Sequence, residues 1–123
     1  MHVSASEIES TLQKATIGLG LGIGCGVEAG RSALTMGRHN VDPAPIFLAA
    51  FDKISSGLSI AYDNACAFGG VFAPNQGETH LSAIMAAPAI CDFLTVGKGQ
   101  LVVESVDSPI IVLMSLLSRG LDI

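Results

Sequence analysis

Glycine recurs at every second position from Gly18 to Gly26, in the stretch GLGLGIGCG, and this run restricts the backbone more than any other part of the chain. Each glycine costs a helix about 1 kcal/mol relative to alanine, so the five together oppose a continuous helix by roughly 5 kcal/mol. A helical break between Gly18 and Gly22 follows. Glycine-rich runs also cradle phosphates, but a dinucleotide fingerprint needs glycines at relative positions one, three and six. Starting from Gly18, Gly20 or Gly22, the last of these falls on Ile23, Cys25 or Val27. A P-loop fails as well, because Gly97-Lys98 lacks both the upstream glycine and the following hydroxyl. What remains is a spacing of four: Gly18, Gly22, Gly26 and Gly30 share one side of a helix, where small residues let main chains approach.

The elements around this run are marked by local signals. Ser4 followed by Glu7 is a capping box, with Val3 placed to staple onto Ile8, and Ile8, Leu12 and Ala15 recur at helical spacing. A helix from Ala5 to Ile17 is predicted, and a second from the glycine break to Met36, leaving through Gly37, Arg38, His39 and Asn40. Asp42-Pro43 starts a third, with Phe47, Ala50, Phe51 and Ile54 as its buried stripe and Gly57 as its stop. LSIAYDNACAFGGVFAPNQG, residues 58–77, reads as short strands with turns at Asp63-Asn64 and Gly69-Gly70, or as a helical turn and loop; strands are the preferred reading. A helix over 80–94, interrupted or restarted at Pro88, precedes a turn at Gly97-Lys98-Gly99. LVVESV, 101–106, reads as a strand. Ser108-Pro109 opens a last helix in which Ile110 to Leu117 contain one polar group, so it is predicted to be buried, in the fold or against a partner. The expected architecture is a single α+β domain over 1–123, predominantly helical, with a helix-turn-helix start, short strands in the middle and an apolar C-terminal helix.

Composition narrows the function. Half the residues are hydrophobic and 14% are charged, an apolar excess for a chain of 123 residues, which points to a subunit interface. A net charge of -5 with scattered basic residues argues against nucleic acid. The longest uncharged apolar run, between Lys14 and Glu28, is 13 residues against the roughly 18 needed to cross a bilayer. MHVSASEIES has no cationic region leading into an apolar stretch, so a cytoplasmic location is expected. Cys25, Cys66 and Cys91 are too far apart for a zinc or dithiol motif and are expected as reduced thiols, with no metal and no cofactor.

Lys14-Ala15, Gly18, Gly20, Gly24 and Glu28-Ala29-Gly30-Arg31, within QKATIGLGLGIGCGVEAGRSAL, resemble a family of uncharacterised, mainly proteobacterial proteins, domain of unknown function 3726. That family's N-terminal pattern is K-A-x-x-G-x-G followed by E-A-G-R. The resemblance extends less specifically to Asp92-Phe93 and Asp107-Ser108-Pro109, and it departs at Gly22, Ile23 and Val27, where this chain is more apolar. It implies that a C-terminal part found in longer relatives is missing here. It brings no activity with it.

Candidate chemistry is sparse. Glu28 and Arg31, three apart on the second helix, can pair and hold a small polar ligand beside the glycine face. Glu78 and His80, two apart, with Asp92 as a third group, are candidates for holding a metal or for general base work. No G-x-S-x-G, H-E-x-x-H, C-x-x-C or EF-hand pattern is present. Two readings follow. The first is a self-associating or accessory-subunit domain using Gly22, Gly26 and Gly30 together with Ile110, Leu113 and Leu117. The second is a small-molecule-binding domain or enzyme whose site is built on Glu28, Arg31, His80 and Asp92.

Overall fold

A computed structural model describes residues 4–77, 79–97 and 99–121, so the expectations placed on Val3, Glu78 and Lys98 lie outside the described residues. Helix α1 (Ala5–Gly18) starts where the capping box predicts, with the Ser4 hydroxyl accepting from the Glu7 N–H at 3.2 Å. The glycine run then breaks the helix: Gly20 turns the chain at φ +86° and Gly22 opens α2 (Ile23–Arg38) without a side-chain cap. Asp42 caps α3 (Pro43–Ser55) by accepting from the Ala44 N–H at 3.1 Å.

Residues 58–77 combine both readings of the sequence. Strand β1 (Ser59–Ile60) and strand β2 (Val71–Phe72) flank a short helix, α4 (Asn64–Phe68). Asp63, expected in a turn between strands, instead caps α4 by accepting from the N–H groups of Ala65 and Cys66. Strand β3 (His80–Leu81) replaces the predicted first turn of the next helix, and α5 (Ala83–Thr95) begins only after Ser82 caps it. The helix runs through Pro88, because Ala86, Ala87, Ile90 and Cys91 around it are buried and hold the segment in place. Only Val102–Val103 of the predicted strand form β4, since Ser105 takes φ +57° and ends the ladder. The last helix, α6 (Pro109–Ser118), stops at Gly120 with φ +71°.

The fold is a predominantly helical α+β arrangement, with 61% helix and six helices among the described residues. Its strands form two short parallel pairs, Ser59–His80 with Ile60–Leu81, and Val71–Val102 with Phe72–Val103. Parallel pairing needs long crossovers: α4 and β2 lie between β1 and β3, and β3 and α5 lie between β2 and β4. Helix α2 packs against α1, α5 and α6, and contributes Ala29, Ala33 and Met36 to a core shared with Phe47, Ile84, Ile90 and Ile111. Among the described residues no helix is long and apolar enough to cross a membrane.

Candidate functional site

Two faces of α2 serve different contacts. Gly26 and Gly30 are buried against α1: a Cβ at Gly26 would lie 3.1 Å from the Gln13 carbonyl oxygen, and one at Gly30 would lie 3.0 Å from that of Glu9. These two predicted interface residues are therefore covered within the chain and closed to a second molecule, while Gly22 is exposed with open space around it. Two residues after Gly26, about 200° round the helix, Glu28 lies on the face that meets α6. One turn later the buried Ser32 hydroxyl donates to the Ile111 carbonyl at 3.1 Å. The two contacts run in opposite senses along the chain, so α2 and α6 pack antiparallel.

At the end of this contact Arg119, the residue that closes α6, joins three helices. Its Nε donates to Glu28 Oε1 at 3.2 Å and its Nη2 donates to the same oxygen, while Nη1 donates to Asp92 Oδ1 on α5 at 3.0 Å. The Glu28 side chain is only 3% exposed and its Oε2 has no hydrogen-bond partner among the described residues, whereas the Asp92 side chain is 73% exposed. Hydrogen bonding to Glu28 holds the Arg119 guanidinium above its ordinary pKa, against the opposing effect of burial and with further support from Asp92.

The predicted Glu28–Arg31 pair does not form. Arg31, three residues on and roughly 60° short of a full turn of α2, is exposed, and the ionic partner of Glu28 is Arg119. His80 is exposed on β3, where its backbone N–H serves Leu58, so it does not join Glu28 and Asp92. Among the described residues no three His, Cys, Asp or Glu side chains are grouped to hold a metal ion. Of the four candidates, the structure brings Glu28 and Asp92 together, through Arg119 at the end of α6. The signal for it was weak: a glutamate inside a small-residue helix needs a cation, but six basic residues could have supplied it.

The same region holds two thiols, Cys25 and the buried Cys91. Burial, reinforced by the Glu28 carboxylate, raises Cys91 from 9.0 to about 11 and raises Cys25 as well. The geometry therefore suits a tie between α2, α5 and α6 better than nucleophilic chemistry. A thiol reagent at about pH 8 is expected to modify the exposed Cys66 readily and to leave Cys91 untouched until the chain unfolds. The raised value also fixes a sign: folded Cys91 keeps a proton that the unfolded chain releases above pH 9.0, so stability is complete below that point and falls as pH climbs towards about 11. Urea unfolding across this window, with Cys91→Ala as the control lacking that step, checks it.

A second surface feature lies on the other side of α6. Its exposed face carries Leu113 and Leu117, 39% and 38% accessible, beside a groove of about 370 Å³ whose walls include Ile90, Leu94, Val103, Val106 and Leu116. Every side chain lining that groove is apolar. Ile110, the other predicted interface residue of this helix, is partly buried against the core.

Comparison with protein-family models, with curated proteins and with solved structures gives no significant match in any of the three.

Proposed function

We propose that this chain works by association, pairing with a second copy of itself through the exposed face of α6. One observation carries the reading: Leu113, exposed on the wall of an all-apolar groove, and Leu117, exposed one turn further along α6, put projections and a recess on one helix face. A two-fold axis through it would seat each molecule's leucines in the other's groove, which is the self-complementarity an isologous dimer requires. The patch is uncharged, so a net charge of -5 on each copy does not act directly across the contact. The glycine face plays no part in this proposal, since α1 covers Gly26 and Gly30. A reducing, intracellular setting belongs to the same reading, supported by an odd number of unpaired cysteines, one of them exposed.

Light scattering is expected to give about 25 kDa, twice the chain mass of 12.6 kDa, at about 100 μM. Leu113→Glu and Leu117→Glu should each return it to the monomer mass with unchanged helical content, because both side chains already face outward. A wild-type chain that stays monomeric at that concentration overturns the proposal.

A further inference from the structure

The chain has six aromatic residues, and four of them line one cavity. Tyr62 comes from the loop after β1, Phe68 from α4, Phe72 from β2 and Phe93 from α5, around a volume of about 410 Å³. Phe72 is buried beneath it, its ring centroid 5.4 Å from Tyr62 at 64° and 6.1 Å from Phe93 at 88°. Rings meeting at such angles form a corner rather than a stack. Gly70 lets Phe93 come this close, since a Cβ there would stand 3.2 Å from its Cζ. Phe68 is 94% exposed at the rim, so its ring is open to a ligand entering the cavity.

The polar part of the lining has one sign. Asp92 and Asn64 reach the cavity and, among the described residues, no Lys, Arg or His lines it. Of these three charged groups only Asp92 lines the cavity, and Arg119, which it shares with the buried Glu28, bonds it through Oδ1. Aromatic faces with an adjacent carboxylate attract cations whose own surface is apolar, because ring quadrupoles reward a poorly hydrated positive charge. An anion would meet repulsion, and a neutral ligand would leave the carboxylate unused. The overall charge of -5 further concentrates cations near the surface.

We propose that this cavity binds a small alkylated ammonium ion of the choline type, its methyl groups against Tyr62, Phe68 and Phe93 and its charge beside Asp92. This site shares no lining residue with the α6 groove, so its titration is read separately from the oligomeric state. Amide NMR titration of the full chain with choline, and with 3,3-dimethylbutanol as the uncharged isostere, separates charge recognition from simple apolar filling. Saturable shifts are expected around Tyr62–Phe72 and Ala89–Phe93, with the isostere weaker by about tenfold. Phe68→Ala, at a position too exposed to matter for folding, should raise the Kd for choline about fivefold, and Asp92→Asn should do the same. Absence of saturable shifts at about 50 mM choline, equal binding of the isostere, or an unchanged Kd in Phe68→Ala overturns the assignment.

Discussion

Replacing Arg119 with methionine is expected to destabilise the fold by about 3–5 kcal/mol, the largest effect of any single surface-reaching side chain here. The reason lies in Glu28. Its carboxylate is 3% exposed and already has one oxygen without a partner, so losing the guanidinium would leave a buried charge with no compensating donor among the contacts seen. Arg119 itself is one-quarter exposed, and its separate bond to Asp92 should count for little: Asp92→Asn is expected to cost less than about 1 kcal/mol, since that carboxylate is mostly in water. The double variant Arg119→Met with Glu28→Met should recover most of the loss by replacing the pair with apolar volume. Urea unfolding at neutral pH measures all four proteins. A cost below about 1 kcal/mol for Arg119→Met would show that water reaches Glu28 and that the three helices are not tied there.

The second large effect is expected at Gly30. A single Cβ there would lie 2.9 Å from Glu9 Cγ and 3.0 Å from the Glu9 carbonyl oxygen, and the backbone atom cannot rotate away. Gly30→Leu should therefore push α1 off α2 and lower stability by about 3 kcal/mol, despite the better helix propensity of leucine. Gly24, also in α2, has open space within 4 Å of where a methyl group would sit, so Gly24→Ala should stabilise by about 0.5 kcal/mol. Thermal unfolding of the two variants should shift in opposite directions. Hydrogen exchange in α1 should rise sharply only in Gly30→Leu, because the rest of the core does not depend on that approach. Equal shifts would remove the close approach as the reason for the glycine.

Local signals read well wherever a bond spans one helical turn. Ser4 with Glu7, Asp42 with Pro43, and the glycine break between Gly18 and Gly22 each marked a boundary that the backbone then adopts. They fared less well where a side chain had two local uses. Asp63 could turn a hairpin or cap a helix, and burial of Ala67 and Phe72 favoured the cap. His80 and Leu81 looked like the start of a helix, yet β1 beside them supplied a ladder. Of the candidate site, Glu28 and Asp92 were legible as unusual carboxylates among apolar neighbours, but neither Arg31 nor His80 joins them.

The amino-acid order by itself determined where most helices begin and end, that the chain must break after α1, and that Gly26 and Gly30 would admit a close neighbour. Only the tertiary structure decided that the neighbour is α1 of the same chain, that Glu28 is served by an arginine 91 positions away, and that four aromatic rings meet at one corner. Caps, breakers and periodicity act through bonds that close within about four residues, and these can be read along a string. Which distant groups meet depends on how helices pack, and one order of residues leaves many such pairings open until the core chooses among them.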